Sequence, residues 1–205
     1  MRKLACLIVL LCWAPLSAAQ SLLVLGDSIS AAYGIDKQQG WVTLLQRRLD
    51  DKCPGWTVNN ASVSGETSSG GLARLPELLE RHQPDLMLLE LGGNDGLRGQ
   101  RPAQMRANLL AMIDMAQQQG ADVVLLGMRI PPNYGEAYNQ LFEQVFVDVA
   151  EKQQVPLIPF FLEGVAGEAG LMQDDGIHPT AEGQPLLLEN AWGEVWRKVE
   201  RACES

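Results

Sequence analysis

The chain has 205 residues, of which 46% are hydrophobic and 20% are charged, values typical of a globular protein with one substantial core. Its formal net charge of −9 at pH 7 argues against nucleic acid as a partner, because binding phosphates requires a basic face. The same acidity disfavours long residence on anionic lipid. A small neutral or zwitterionic molecule is therefore the expected kind of ligand.

The first nineteen residues differ in character from the rest of the chain. Arg2 and Lys3 precede an apolar run over 4–14, and small residues (SAA) follow it. This pattern is typical of a secretory signal peptide, and the apolar run is too short to span a bilayer; the alternative is a buried N-terminal helix. We therefore predict an exported protein, periplasmic or secreted, with a signal peptide over 1–19, one domain over 20–205 and no stable membrane insertion. Cleavage reduces the basic residues from 16 to 14, against 25 acidic ones.

Apolar runs alternate with helical patterns along the remaining chain. This alternation predicts a five-stranded parallel sheet covered on both faces, an α/β three-layer α/β/α sandwich. Right-handed crossovers favour the flavodoxin-like strand order 2-1-3-4-5. In chain order, we predict a strand over 22–25, a helix over 42–49, a strand over 57–61, a helix over 72–82, a strand over 86–91, a helix over 103–118, a strand over 123–128, a helix over 138–152, a strand over 155–158 and a helix over 181–202.

Polar residues follow four of the predicted strands, at the edge of the sheet where ligands of this fold class bind. They are 26–28 (GDS), 62–67 (SVSGET), 92–95 (GGND) and, before the last helix, 174–179 (DDGIHP). Because all four segments fall on one edge, we expect an active site there.

A serine nucleophile is one interpretation of this edge. Ser28 could be a helix cap or a nucleophile, which needs a histidine base and an orienting carboxylate. The chain has two histidines. His82 ends a helix at the opposite edge, where a cation near a helix C-terminus is common; His178 follows Asp175 by three residues. Asp27 is interpreted as a local turn or cap residue with no role in proton transfer.

Donors for a negatively charged oxygen can also be assigned. The backbone N–H groups of Ser28 and Gly65 and the side-chain amide of Asn94 could converge as an oxyanion hole. A turn glycine and a helix or turn cap are the alternatives for Gly65 and Asn94. The G-x-S-x-G elbow of α/β-hydrolases is absent. With two histidines and few clustered carboxylates, we expect no metal site and no cofactor.

These segments resemble the SGNH, or GDSL, hydrolase superfamily. The blocks GDSIS, NASVSGET, GGND and DGIHP occur in that family's order, and longer stretches such as LGGNDGLRG and IPPNYGEAYN resemble its periplasmic branch of thioesterase I, protease I or lysophospholipase L1 and secreted arylesterases. The resemblance covers nearly all of 21–190. It implies Ser28 as nucleophile, His178 as base, Asp175 as its orienting partner, and Ser28, Gly65 and Asn94 as the oxyanion hole.

The predicted function is hydrolysis of carboxylic esters and thioesters, including lysolipids, through an acyl-enzyme on Ser28. The alternatives are a carbohydrate acetylesterase and a non-catalytic exported binding protein. We expect a monomer acting on small molecules. Loops after two strands supply apolar residues that could form a shallow acyl groove, with a merely packed loop as the alternative; the proposed groove residues are Ile130, Pro131, Tyr134 and Met172.

Two cysteines, Cys53 and Cys203, remain after the signal peptide. In a 2-1-3-4-5 sheet the first and last helices share one face, so both cysteines fall at the end opposite the active site. A disulfide and two free thiols are both possible in an oxidising compartment.

Overall fold

The computed structural model describes residues 20–203; the predicted signal peptide lies outside the described residues. Five strands form one parallel sheet in the order β2-β1-β3-β4-β5, which confirms the predicted fold. The strands are β1 (Gln20–Gly26), β2 (Trp56–Asn60), β3 (Leu86–Glu90), β4 (Asp122–Leu126) and β5 (Leu157–Ile158).

Helices cover the sheet in two layers. Helix α1 packs against α6, whereas α4 packs against both α2 and α5. The helices are α1 (Trp41–Lys52), α2 (Ser68–His82), α3 (Gly93–Leu97), α4 (Pro102–Gln118), α5 (Glu136–Gln153) and α6 (Gln184–Cys203), with short 3-10 turns at Lys37–Gln39 and Pro132–Tyr134.

The central strands are buried because helices press on both of their faces. All five residues of β3 are buried, as are the last five of β1, which explains their continuous apolar runs. The segments after β1, β2 and β3 leave the sheet at its carboxyl edge, as predicted. His82 is the last residue of α2 and precedes the start of β3, so it lies at the opposite edge.

Two local predictions differ from the structure. No helix was predicted around residues 92–95, where a helix or turn cap was the alternative for Asn94, yet this segment opens helix α3, because tertiary context overrides the low helix propensity of glycine. The last helix begins at Gln184 rather than at residue 181. Residues 180–183 form a turn instead, in which the Gly183 N–H donates to the Thr180 carbonyl over 3.2 Å.

A disulfide joins the two helices on one face. Cys53, at the end of α1, is bonded to Cys203, the last residue of α6, with their Cα atoms 5.1 Å apart. The bridge closes a loop with a sequence separation of 150 residues. In the chain-entropy model such a loop stabilises the fold by up to about 5 kcal/mol. The bridge lies at the end of the sheet opposite the polar segments.

Membrane-spanning helices and metal-binding clusters are both absent from residues 20–203. No helix there is long and apolar enough to cross a membrane. No group of three or more His, Cys, Asp or Glu side chains there could hold a metal ion.

Candidate active site

Ser28 lies in a tight turn directly after β1. The Ala31 N–H donates to the Asp27 carbonyl over 3.0 Å, and the Tyr33 N–H donates to the Ser28 carbonyl over 3.1 Å. The turn holds Ser28 at the carboxyl edge of the central strand, where it lines a cleft and is 8% exposed. Its hydroxyl can therefore reach a substrate while its backbone stays fixed.

Ser28, His178 and Asp175 form a continuous hydrogen-bonded chain. The His178 Nε2 atom lies 2.8 Å from Ser28 Oγ, and the His178 Nδ1 atom lies 2.6 Å from Asp175 Oδ2. Ser28 and His178 are 150 residues apart in sequence, and the fold brings them together from opposite ends of the domain. This is the geometry that a serine nucleophile, a base and an orienting carboxylate require.

The loop around Asp175 fixes the orientation of its carboxylate. Asp175 Oδ1 accepts the N–H groups of Ile177 and His178, at 2.9 and 3.0 Å. The backbone N–H of His178 is the main cause that lowers the pKa of Asp175 to about 2, so this side chain is an anion at neutral pH. An ionised carboxylate can only accept, so His178 Nδ1 carries a proton and Nε2 is left to accept the Ser28 proton.

The three predicted oxyanion donors have different surroundings. Among residues 20–203, no protein acceptor takes the N–H of Ser28 or of Gly65. Asn94, the second residue of α3, lines the cleft. Gly65 lies in the loop after β2 and is not among the residues lining the cleft. Its carbonyl accepts from Arg98 Nη2 over 2.8 Å.

Asp27 has a role that the sequence interpretation missed. It does cap the local turn, since Oδ1 accepts the Ile29 N–H over 3.0 Å. Its other oxygen, Oδ2, accepts from Asn94 Nδ2 over 2.9 Å, which orients the Asn94 amide and leaves that group's second hydrogen for the cleft. Asp27 is 2% exposed, and burial raises its pKa to about 6. The sequence signal for this role was an acid placed directly after the buried apolar run of β1, because a buried acid requires partners.

Glu90 lies directly beneath the Ser28 turn. It is the last residue of β3, is fully buried and pairs in register with Gly26. Its Oε2 accepts the Asp27 N–H over 3.2 Å and the Ser30 hydroxyl over 2.7 Å. A Cβ atom at position 26 would come within 2.5 Å of that oxygen, so only glycine fits there. Burial, and then the charge of Asp27, raise the pKa of Glu90 well above its usual value.

Replacing Glu90 with glutamine is expected to flatten the pH dependence of stability. Because the pKa of Glu90 is higher in the folded than in the unfolded chain, the wild-type free energy of unfolding falls as the pH rises above about 4.5. One such proton gives a slope of up to about 1.4 kcal/mol per pH unit. Glutamine does not titrate, so the free energy of unfolding of E90Q should increase relative to that of the wild type as the pH rises.

Urea unfolding of the wild type and E90Q at a series of pH values from acid to mildly alkaline measures this slope. A buried glutamine amide without an acceptor adds an offset of about 1–3 kcal/mol that does not depend on pH, so only the slope is informative. The exposed Glu80 of α2 provides the control variant E80Q. Parallel curves for the wild type and E90Q would contradict the prediction.

The cleft beside Ser28 has a volume of about 500 Å³ and mostly apolar walls. Three of the four predicted groove residues, Ile130, Pro131 and Met172, line it. Tyr134 does not; it lies beside the cleft, and its hydroxyl donates to the Leu97 carbonyl over 2.8 Å. Further apolar walls come from Leu97, Met128, Phe160 and Leu162.

The sequence matches a known protein family and is similar to named relatives. The model of the GDSL-like Lipase/Acylhydrolase family matches residues 24–186. The chain is 57% identical over 176 residues to esterase TesA from Pseudomonas aeruginosa, covering 86% of this chain and 88% of that protein. It is 44% identical over 173 residues to thioesterase 1/protease 1/lysophospholipase L1 from Escherichia coli K12, covering 84% and 82% respectively.

A solved structure is similar across the whole domain. The psychrotrophic esterase EstA from Pseudoalteromonas sp., in a crystal structure inhibited by monoethylphosphonate, has a TM-score of 0.84 and 40% sequence identity. The similarity covers 88% of this chain and 99% of that one. The chain therefore belongs to the GDSL-like lipase/acylhydrolase family.

Proposed function

We propose that the protein is a serine hydrolase that cleaves carboxylic esters and thioesters, including lysolipids, through an acyl-enzyme on Ser28. The observation that carries this proposal is the unbroken Ser28–His178–Asp175 hydrogen-bonded chain at the wall of an apolar cleft. The relatives named as esterase and as thioesterase and lysophospholipase support the same substrate class.

In the first half of the reaction, Ser28 Oγ attacks the carbonyl carbon of the bound ester. His178 Nε2 takes the hydroxyl proton, and Asp175 stabilises the imidazolium through Nδ1. The N–H groups of Ser28 and Gly65 and the Asn94 amide stabilise the oxyanion; one such donor is worth roughly 3 kcal/mol of barrier. His178 then gives its proton to the departing alcohol or thiol as the bond to the carbonyl carbon breaks.

In the second half, water replaces the departed alcohol or thiol. His178 takes a proton from the water, whose oxygen attacks the acyl carbon, and then returns that proton to Ser28 Oγ as the acid leaves. The Asp27 carboxylate supports both halves, because it keeps the Asn94 amide turned in one direction.

The apolar walls of the cleft favour an acyl chain over a sugar. Ile130 and Pro131 offer no hydrogen-bonding side chain to hydroxyl groups, and Met172 offers only a weakly accepting sulfur, which disfavours the carbohydrate acetylesterase hypothesis. The complete hydrogen-bonded chain at Ser28 disfavours a non-catalytic binding protein, since such a protein gains nothing from a base aligned on a hydroxyl.

The proposal extends to where the enzyme acts. The signal-peptide pattern of the first nineteen residues indicates export to the periplasm or beyond, and the Cys53–Cys203 disulfide fits an oxidising compartment. The enzyme works there as a monomer on small molecules, without nucleic acid.

A panel of nitrophenyl esters with acyl chains from two to sixteen carbons tests the substrate class. We expect hydrolysis of several chain lengths, because most of the residues that line the cleft are apolar and can contact methylene groups at any position along the chain. A serine-directed phosphonate should label Ser28 and stop hydrolysis of every ester. Strict preference for acetyl would favour the carbohydrate acetylesterase, and failure to label Ser28 would favour the binding protein.

A further inference from the structure

Gln173 joins the two loops that carry Ser28 and His178. Its side-chain Nε2 donates to the Tyr33 carbonyl over 2.8 Å, in the loop after β1, and to the Pro179 carbonyl over 3.0 Å, beside His178. Its backbone N–H donates to the His178 carbonyl over 2.8 Å. Gln173 thus binds two consecutive carbonyls, those of His178 and Pro179, and connects them to the loop of the nucleophile.

The connection continues from Tyr33 to Ser28 itself. The Tyr33 N–H donates to the Ser28 carbonyl over 3.1 Å. The Tyr33 ring lies against the His178 ring, with centroids 4.4 Å apart and an interplanar angle of 39°. Tyr33 therefore contacts both members of the Ser28–His178 pair, and Gln173 fixes the carbonyl of Tyr33.

The absence of a side chain at Gly34 leaves space for the Gln173 side chain. Gly34 follows Tyr33 with a φ of +76°, and a Cβ atom there would come within 2.3 Å of Gln173 Oε1. The missing side chain leaves room for the Gln173 amide beside the backbone of the loop after β1. Gln173 itself is not among the residues that line the cleft, so it has no direct contact with a substrate bound there.

We propose that Gln173 is a positioning residue that sets the distance between Ser28 Oγ and His178 Nε2 by fastening the His178 loop to the loop after β1. The proposal rests on the hydrolase function proposed above. Proton transfer requires the two atoms within hydrogen-bond reach, and a displacement of about 1 Å in such a pair can cost on the order of 100-fold in rate. Since the apolar walls at Ile130, Pro131 and Phe160 belong to other loops, substrate binding should change little.

Two variants test this. Q173L removes the donor and keeps the approximate size, and Q173E places an acceptor against the carbonyls of Tyr33 and Pro179. For both we expect kcat to fall roughly 10- to 100-fold, with KM within about twofold of wild type, and the rate of phosphonate labelling of Ser28 to fall with kcat. The control is Q144L on the exposed face of α5, where Gln144 pairs with Asp148; it should leave both constants unchanged.

The outcomes separate this inference from the function on which it rests. Wild-type kcat in a folded Q173L or Q173E would overturn the positioning role, as would a loss of kcat matched by an equal rise in KM. If Q173L fails to fold, Q173E alone decides by the same measurements; if both fail to fold, Gln173 is a stability residue and the inference is wrong. Retained activity in a Ser28→Ala enzyme would instead overturn the hydrolase assignment.

Discussion

Replacing Ser28 with alanine is expected to lower kcat by roughly 10⁴- to 10⁶-fold and to leave the fold intact. The Ser28 hydroxyl supplies the atom that forms the acyl-enzyme, and water at the same position lacks both its placement and its fixed distance from the base. The side chain contributes little to stability, because the only hydrogen bond of Oγ given by the described residues is the one to His178.

Steady-state hydrolysis of a nitrophenyl ester, followed with wild type and Ser28→Ala purified in parallel, measures this effect. Circular dichroism and thermal unfolding show whether the variant is folded. The control is Ser69→Ala, at an exposed serine in the first turn of α2, which should keep wild-type activity. A folded Ser28→Ala enzyme that turns over at more than a hundredth of the wild-type rate would remove Ser28 from the mechanism.

Replacing Asp175 with asparagine is expected to lower kcat by about 10⁴-fold, by placing the His178 proton on the wrong nitrogen. The N–H groups of Ile177 and His178 both donate to Oδ1, so the amide oxygen of asparagine must take that position. Its NH₂ group then faces His178 Nδ1, which has to become an acceptor. The proton moves to Nε2, which can no longer take a proton from Ser28.

The adjacent Asp174 provides a matched control, since it is exposed and follows Gln173 in the same loop. Asp174→Asn should retain nearly full activity. The pKa of Asp175 is lowered to about 2, so the wild-type carboxylate stays charged throughout the assay range, and the loss in Asp175→Asn should persist at every pH tested. Activity of Asp175→Asn within tenfold of wild type would show that orientation of the ring does not depend on this side chain.

The sheet was predictable because buried parallel strands carry their signal in composition, and its strand order because right-handed crossovers limit the possible topologies. The continuous apolar runs of β1 and β3 identify central strands whatever the rest of the chain does. The short helix α3 was not predictable, since Gly93 and Gly96 suppress the local helix signal and packing against the rest of the fold restores the helix.

Some residues of the site could be predicted from the sequence, and others could not. Ser28, Asn94, Asp175 and His178 were identifiable because each stands in a polar segment after a strand, and topology alone places those segments on one edge. Glu90 was hidden inside an apolar run, and its partners Asp27 and Ser30 are 63 and 60 residues away in sequence. Only the register that sets Gly26 against Glu90 reveals their contact. For Tyr134, sequence position suggested the groove, but the direction of the ring depends on its bond to Leu97.

The disulfide bears on how this domain can be fused to another protein or immobilised on a resin. Gln20 begins β1 and donates its N–H to the Gly55 carbonyl over 3.1 Å, two residues beyond Cys53, while Cys203 is bonded to Cys53 itself. Residues 20 and 203 therefore lie together at the amino ends of the strands, on the far side of the molecule from the cleft. A fusion partner or an immobilising resin linked beside residue 20 or residue 203 would leave the cleft facing free solution.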